Sequence, residues 1–271
     1  MSVATQPGKG TAVITGASTG IGAVYASRLA RMGYDLIIIA RNHNRLNQMA
    51  SHITADTARN VEVLATDLGD AQQLAALEKK LRADASITLL VNNAGVGTHT
   101  PLLSSDVDQM QAMINLNVVP LTRQTNSVDP RYLAPAERAI INISSIVSLA
   151  PELLNGVYGG TKAFVLAFTQ SLHHELSEKG IHFQAVLPGA TATPFWDNGG
   201  LPLDQLDKSI VMSAYDLVDA ALTGFLNGEF VTIPSLHNEA YWQAMESSRQ
   251  AMIPHLSSNV PAGRYRAGLT H

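Results

Sequence analysis

The chain has 271 residues, of which 46% are hydrophobic and 15% are charged, and its formal net charge is −4. This length suits one compact domain with a large core, and the small net charge gives no sign of a basic surface for nucleic acid. The sequence contains no cysteine, which excludes disulfides and thiolate metal sites. Its apolar runs are far shorter than the ~20 residues of a membrane span, and the N-terminus lacks the pattern of a signal peptide. We therefore expect a protein that does not bind a membrane. A cytoplasmic location fits the sequence, and the absence of cysteine is also compatible with export.

Short β-branched runs alternate with longer helical patterns along the chain. The sequence predicts strands at 11–15, 35–40, 61–65, 87–91, 139–144, 181–187 and 230–234. It predicts helices at 20–32, 43–58, 70–84, 106–124, 158–178 and 214–227, with another near 238–252. Most of the strands are unbroken apolar runs, which is typical of parallel strands covered on both faces. The alternation predicts an α/β fold, a doubly wound Rossmann-type parallel sheet of about seven strands with helices on both faces.

The sequence shows no linker and no internal repeat, so we expect a single dinucleotide-binding domain over residues 1–271. Residues 193–212 are rich in glycine, proline and aspartate and lie between two late elements. We interpret this segment as a substrate loop or lid rather than a domain boundary. Residues 254–271 have no clear periodicity and are expected to form an irregular C-terminal tail.

A glycine-rich turn, TGASTGIG at residues 15–22, joins the first predicted strand to the first helix. Gly16, Gly20 and Gly22 allow a tight turn and a close approach of backbone N–H groups to a pyrophosphate. The following helix directs its positive N-terminal end toward the same place. The alternative is a tight turn that binds nothing, but the strand–turn–helix context favours a dinucleotide.

Arg41 follows the second strand, where an acidic residue would bind the ribose 2′-hydroxyl of NAD. Asp35 lies at the opposite end of that strand. A guanidinium at this place suits the 2′-phosphate of NADP. The alternative is that Arg41 is an ordinary solvated residue after a strand. The sequence therefore favours NADP(H) as cofactor and leaves NAD(H) open.

The stretch YGGTK, residues 158–162, opens the fifth helical segment. On a helix, Tyr158 and Lys162 share one face. Reduction of a ketone by hydride needs a proton donor at the forming alkoxide, and an ammonium near the tyrosine should bring its pKa toward the working range. A Tyr–Lys pair alone is a common surface feature, but Ser145 follows a buried strand thirteen residues earlier and offers a hydroxyl to hold the carbonyl oxygen. The neighbouring Ser144 is given a backbone or capping role.

These motifs together resemble the short-chain dehydrogenase/reductase family. The resemblance covers the T-G-x-x-x-G-x-G turn, Asn92-Asn93-Ala94-Gly95 after the fourth strand, the Ser145/Tyr158/Lys162 spacing and the P-G-x-x-x-T stretch that begins at Pro188. It implies that Lys162 also binds the nicotinamide ribose. It implies that an asparagine of the preceding helix holds a water for proton relay. Asn117 fits that role better than Asn115, because it stands five residues before Thr122; a helix-kinking role near Pro120 is the alternative.

The resemblance also implies that Asp67 and Leu68 line the adenine pocket. The alternative for Asp67 is to cap the following helix, but Asp70 is an equally good candidate for that cap. It assigns the nicotinamide carboxamide to the stretch after Pro188, where Thr193 matches the usual spacing and Thr191 is a second candidate. The predicted catalytic residues are Asn117, Ser145, Tyr158 and Lys162. The predicted cofactor-binding residues are Gly16, Ser18, Thr19, Gly20, Ile21, Gly22, Arg41, Asp67, Leu68, Asn93, Ala94, Gly95, Tyr158, Lys162, Pro188, Gly189, Thr191 and Thr193.

The predicted activity is hydride transfer between NADP(H) and a small-molecule carbonyl or secondary alcohol, with Tyr158 as general acid or base. The alternatives are an NADP(H)-binding sensor or scaffold without turnover, and an epimerase or dehydratase on the same fold. The resemblance implies a homodimer or homotetramer. However, residues 123–138 are polar and carry two prolines where the family commonly has an apolar dimer helix. The glycines at 159 and 160 weaken a helix by roughly 1 kcal/mol each, so we expect something to pack closely against them, such as cofactor or a bulky substrate.

Overall fold

A computed structural model describes residues 8–127 and 138–266. Its strands are β1 Thr11–Thr15, β2 Asp35–Ala40, β3 Val61–Ala65, β4 Ile87–Asn92, β5 Arg138–Ile143, β6 Ile181–Val186, β7 Thr191–Ala192, β8 Met212–Ser213 and β9 Val231–Thr232. Its α-helices are α1 Gly20–Arg31, α2 His43–Thr57, α3 Ala71–Ala83, α4 Val107–Ser127, α5 Gly156–Leu176, α6 Phe195–Asn198, α7 Ala214–Leu226 and α8 Ala240–Met252.

Seven of the strands form one sheet in the order β3-β2-β1-β4-β5-β6-β9. Every pairing in this sheet is parallel. The chain moves outward from β1 through β2 to β3, and then crosses back to place β4 beside β1. This reversal opens a crevice at the carboxyl ends of β1 and β4, which is where open α/β sheets bind their ligands. The predicted doubly wound fold is confirmed.

Both faces of the sheet are covered, which explains why its strands are unbroken apolar runs. On one face, α1, α2 and α7 bury leucine, valine and alanine side chains against Ala12, Ile14, Leu36 and Ile38. On the other face, α3 packs its leucines against Val13, and residues of α4 and α5 complete the layer. The sheet is therefore a rigid floor that fixes the positions of the loops at its carboxyl edge.

Two short strands that the sequence did not predict bracket the predicted lid. β7 and β8 pair in parallel through Thr191 with Met212 and Ala192 with Ser213. The chain between them contains α6 and 3₁₀ turns at Leu203–Gln205 and Lys208–Ile210. The ends of this segment are therefore held together at its base, while its middle forms a compact excursion from the sheet edge.

The chain divides into two compact units, one up to Ser235 and one from Leu236 onward. The first unit contains the sheet and every predicted site residue. In the second, α8 is followed by 3₁₀ turns at Ile253–His255 and Gly263–Tyr265. Helix α4 continues to Ser127, past the predicted end at 124, while both prolines of the 123–138 segment lie outside the described residues. Within the described ranges, no helix is both long and apolar enough to cross a membrane.

Candidate active site

The four predicted catalytic residues lie around the carboxyl ends of β4 and β5. Tyr158 and Lys162 occupy the first two turns of α5, Ser145 directly follows β5, and Asn117 comes from α4. All four side chains are buried, with exposed fractions of 7% or less. The ammonium of Lys162 lies 5.9 Å from the centre of the Tyr158 ring, and the Ser145 hydroxyl is close enough to the Tyr158 phenol to lower its pKa.

Helix α5 begins where it does because Asn155 caps it. The side-chain oxygen of Asn155 accepts hydrogen bonds from the backbone N–H groups of Val157 and Tyr158, at 2.9 and 3.4 Å. Its amide group donates to the carbonyl of Thr100 at 2.6 Å, which ties the start of α5 to the loop after β4. The sequence analysis missed this residue, although an asparagine just before an apolar helical segment is a typical N-cap signal.

The two serines after β5 have separate surroundings. The hydroxyl of Ser145 donates to the carbonyl of Pro188 at 3.3 Å and accepts from the N–H of Val147 at 3.3 Å. Ser144 instead donates to the carbonyl of Lys162 at 2.8 Å, so it joins the end of β5 to α5. Ser144 has the backbone role expected of it, and Ser145 is the serine that meets Tyr158.

Asn117 links three segments beneath the site. Its amide group donates to the carbonyl of Val96 and to the hydroxyl of Thr161, and its oxygen accepts from the N–H of Val96, all at 2.8–3.0 Å. Asn115 is exposed on the same helix. The choice of Asn117 over Asn115 therefore agrees with burial, and the residue holds the loop after β4 beside α5. A water relay at this residue stays a prediction.

The protonation of the Tyr–Lys pair is governed by burial. Desolvation raises the pKa of Tyr158 above its usual range, and the hydrogen bond with Ser145 lowers it by a smaller amount. Desolvation also lowers the pKa of Lys162 to about 8. The expectation that the ammonium would bring the tyrosine pKa down is wrong for this conformation, because burial outweighs the attraction. Tyr158 is consequently a neutral phenol in this conformation, and Lys162 is still mostly charged at neutral pH.

The predicted phosphate turn is built around Asn93. This side chain donates to the carbonyls of Thr15 and Gly16, at 2.9 and 3.3 Å. A Cβ on Gly16 would lie 2.8 Å from the Asn93 amide nitrogen, and one on Gly22 would lie 2.5 Å from it. Gly16 and Gly20 also have positive φ angles of 65° and 57°. Only glycine fits this cradle, which brings the turn against the end of β4.

The N-terminal end of α1 is available to an anion. Thr19, at the N-cap position, makes no side-chain hydrogen bond to the first turn. The backbone N–H groups there consequently lack the side-chain acceptor that usually satisfies them. Ser18 and Ile21 lie on the same turn. Arg41 is exposed directly after β2 and has no side-chain partner among the described residues.

The helix-capping role that the sequence left open between Asp67 and Asp70 belongs to Asp70. Asp70 caps α3 by accepting from the N–H groups of Gln72 and Gln73, both at 2.9 Å. Among the described residues, the Asp67 carboxylate accepts a hydrogen bond only from the N–H of Gly69, at 2.9 Å, and Asp67 is partly exposed beyond the end of β3. Asp67 is therefore free of the capping role, and the neighbouring Leu68 is buried.

The stretch after β6 reaches back to the glycine turn. Thr191 donates to the carbonyl of Gly189 at 3.0 Å, and Thr193 donates to that of Thr191 at 3.4 Å. A Cβ added to Gly20 would lie 3.0 Å from the Thr193 methyl carbon. Because Pro188 also receives the Ser145 hydroxyl, this stretch bridges the phosphate turn and the serine.

Six aromatic or histidine residues of the sequence could line a substrate pocket, and they lie in different places: His99, Phe195, Trp196, Tyr215, Tyr241 and Trp242. Phe195 lies against the Tyr158 ring, with the ring centres 5.6 Å apart, and Trp196 meets Phe195 edge-on. His99 bonds the carbonyl of Gly199 at 2.9 Å. Tyr215 is 59% exposed and stacks beneath Arg28 instead. The remaining two, Tyr241 and Trp242, belong to the second unit.

The two glycines of YGGTK differ in their surroundings. A Cβ on Gly159 would lie 3.2 Å from the Cβ of Pro151, so a close neighbour does face this position. No described atom lies within 4 Å of a Cβ on Gly160, which is exposed. The expectation of close packing holds for Gly159, where a protein side chain supplies the contact. It is wrong for Gly160 within the described part of the chain.

The fold and this site together define a dinucleotide-binding α/β protein with a Ser–Tyr–Lys centre. Residues 10–200 match the family model described as short chain dehydrogenase. The chain therefore belongs to the short-chain dehydrogenase family, as the sequence motifs predicted.

Curated relatives include very-long-chain 3-oxoacyl-CoA reductases. Those of Anas platyrhynchos and Homo sapiens are each 35% identical over 192 residues, or 69% of this chain. The match spans 62% and 61% of those relatives' own lengths, so it leaves more than a third of each relative unmatched.

Solved structures match more of the chain. A short-chain dehydrogenase from Sphingobium yanoikuyae in complex with NADPH is 44% identical, with a TM-score of 0.91, over 95% of this chain and all of that one. A bulky-bulky ketone specific alcohol dehydrogenase from Comamonas testosteroni is 39% identical, with a TM-score of 0.87, over 96% of this chain and all of that one. The two proteins share the fold of this chain along nearly its full length.

Proposed function

We propose that the protein is an NADP(H)-dependent oxidoreductase that interconverts a ketone and a secondary alcohol. The observation that carries the proposal is the buried group of Ser145, Tyr158 and Lys162, in which the Lys162 ammonium lies 5.9 Å from the centre of the tyrosine ring. This group lies at the carboxyl ends of the strands, at the edge of the sheet that also carries the glycine turn. The arrangement has one proton donor, one group to orient an oxygen and one fixed cation.

The residues present fit a dinucleotide. The glycine cradle at Gly16 and Gly22 would be filled by any Cβ, and the first turn of α1 has no side-chain cap. These features would hold a pyrophosphate, Asp67 and Leu68 the adenine, and Lys162 the nicotinamide ribose. Exposed Arg41 supports the 2′-phosphate of NADP, and the similar Sphingobium protein binds NADPH. The bound nicotinamide would supply or accept the hydride.

The side chains of this chain would handle the proton. Tyr158, which its raised pKa keeps protonated, would donate the proton to the carbonyl oxygen in reduction. Ser145 would hold that oxygen beside the phenol. Lys162, with a pKa of about 8, would be mostly protonated at neutral pH and so able to donate hydrogen bonds. Asn117 would keep the loop after β4 against α5 and so fix the distance between the two halves of the site.

The lining favours an apolar ketone. Met113, Val147, Leu154 and Phe195 pack around Tyr158. The names of the relatives give two carbonyl classes, 3-oxoacyl-CoA thioesters and ketones with two bulky groups. The bulky ketone is the better proposal, because that relative matches nearly the whole chain whereas the reductases match about two thirds.

The test is a Tyr158→Phe variant. Consumption of NADPH with a panel of aryl and alkyl ketones should fall at least a thousandfold, while the affinity for NADPH, measured by fluorescence titration, should stay within about twofold. Near-normal turnover would sink the mechanism. Tight NADPH binding by the unaltered protein without turnover of any ketone would favour a sensor or scaffold, and conversion without net loss of cofactor would favour an epimerase or dehydratase.

The location and assembly of the protein belong to the same proposal. We place it in the cytoplasm, as a single-domain homodimer or homotetramer. Apolar side chains exposed on α4, namely Ile114 at 44% and Val119 at 40%, support association. Cell fractionation would test the location, and light scattering at several protein concentrations would test the assembly.

A further inference from the structure

Phe195 covers the residue that must reach the substrate. Its ring lies 5.6 Å from that of Tyr158, at an interplanar angle of 46°. Both rings belong to a small apolar cluster with Met113, Val147 and Leu154. Tyr158 is only 6% exposed, and Phe195 is the member of this cluster that comes from the segment between β7 and β8. A ketone that approaches Tyr158 from the side of Phe195 has to displace part of this cover.

Gly97 is what allows Phe195 to lie there. A Cβ at residue 97 would lie 2.8 Å from Cε2 of Phe195, nearer still to its Cζ, and 3.1 Å from Cε2 of Tyr158. Gly97 does not have a positive φ, so its backbone conformation is open to any residue. The missing side chain at residue 97 therefore serves the close approach of the Phe195 ring and not a turn.

The cover rests on few other contacts. The indole N–H of Trp196 donates to the carbonyl of Thr191 at 2.9 Å, and His99 bonds the carbonyl of Gly199 at 2.9 Å. None of the side chains of α6 is fully buried. A short helix that is fixed by so few bonds can move as a piece while its base stays tied by β7 and β8.

We propose that Phe195 is a displaceable cover over Tyr158 and determines the size of the substituent that the site accepts on one side of the carbonyl. This inference rests on the proposed ketone reduction. An apolar aryl or branched alkyl group takes the place of the phenylalanine ring, because the rest of the cluster is apolar. Because it has no side chain, Gly97 determines how closely the Phe195 ring approaches Tyr158, and it therefore affects substrate specificity through Phe195.

The test measures binding rather than turnover. A secondary alcohol and NADPH are both reduced, so they form a complex that does not react. Calorimetry on the NADPH-loaded protein compares 1-phenyl-1-propanol with cyclohexanol. Phe195→Ala removes the cover, and we expect it to raise the affinity for 1-phenyl-1-propanol about tenfold relative to the affinity for cyclohexanol. Phe164→Ala is the matched control, because Phe164 is on the same helix as Tyr158 but stacks on Phe168; it should leave the ratio unchanged.

Gly97→Ala gives a second route to the same result. The added methyl occupies the seat of Phe195, so the ratio of the two affinities should shift in the same direction as in Phe195→Ala. An equal loss for both alcohols would mean that Gly97 is merely structural and would overturn its part. An unchanged ratio in Phe195→Ala, or no binding of either alcohol, would overturn the cover. Absence of NADPH consumption in the activity assay would instead contradict the proposed function, and it would not alter this measurement.

Discussion

Lys162 should make the stability of the protein depend on pH in a way that Lys162→Met removes. Its side chain is 7% exposed, and desolvation lowers its pKa from 10.5 to about 8. Between these values the unfolded chain binds more protons than the folded one, so the contribution of Lys162 to folding stability rises as the pH rises through that window. At about 1.4 kcal/mol per pH unit, the full change is about 3 kcal/mol.

The pH dependence is a better test than the sign of the effect at a single pH. Lys162→Met keeps the aliphatic packing but removes the hydrogen bond to the carbonyl of Ile143, which is 3.0 Å long. That loss costs about 1–3 kcal/mol and offsets much of the gain at neutral pH. The loss does not depend on pH, whereas the desolvation cost does. Below about pH 8 the variant should gain folding stability relative to the unaltered chain, and by about pH 11 this relative gain in stability should have disappeared.

The assay is urea unfolding at several pH values between about 7 and 11, followed by circular dichroism. Both proteins should carry Tyr158→Phe, which removes the ionisation of the neighbouring phenol. Lys79→Met, on the exposed face of α3, is the control and should show no such trend. A difference between the two proteins that stays constant to within about 1 kcal/mol over this range would refute the buried-ammonium argument.

Two further predictions concern the glycines of α5 and the cofactor. Gly160→Ala should raise the free energy of unfolding by about 1 kcal/mol, because no atom of the described residues lies within 4 Å of the new methyl group. Gly159→Ala should raise the free energy of unfolding by less, or lower it, because the new methyl group is crowded by Pro151. Urea unfolding midpoints compare the two variants, and equal increases in stability would contradict the close contact between Gly159 and Pro151. Arg41→Ala should weaken the binding of NADPH by about tenfold to a hundredfold and leave the binding of NADH nearly unchanged. Fluorescence titration measures both affinities. An equal loss for both cofactors would contradict the phosphate role.

Much of the fold was predictable because its signals are local. The unbroken apolar runs of β1, β2 and β4 require cover on both faces, and the intervening helices supply it. The bounds of these strands differ from the predicted ones by no more than one residue. β7 and β8 escaped prediction because each has two residues, which is too short for any periodicity.

The site was predictable where spacing encodes geometry. Tyr158 and Lys162 share a helix face by sequence separation alone. Phe195 does not have this property, since its contact with Tyr158 joins residues far apart in the chain, and a glycine at 97 carries no sign of the ring it faces. The direction of the Tyr158 pKa shift was not predictable for a related reason. The burial that raises this pKa depends on which residues pack over Tyr158, and the neighbouring lysine does not determine it.

The pairing of β7 with β8 separates two tasks within one chain. Ala192 and Ser213 sit side by side, so the segment between them begins and ends at nearly the same point. The entropic cost of lengthening such a loop grows slowly, by about 0.6 kcal/mol for each doubling. The base of the segment therefore keeps its place at the sheet edge when the length of the segment changes. Substrate range can thus change through this segment while Ser145 and α5 keep their positions on the sheet.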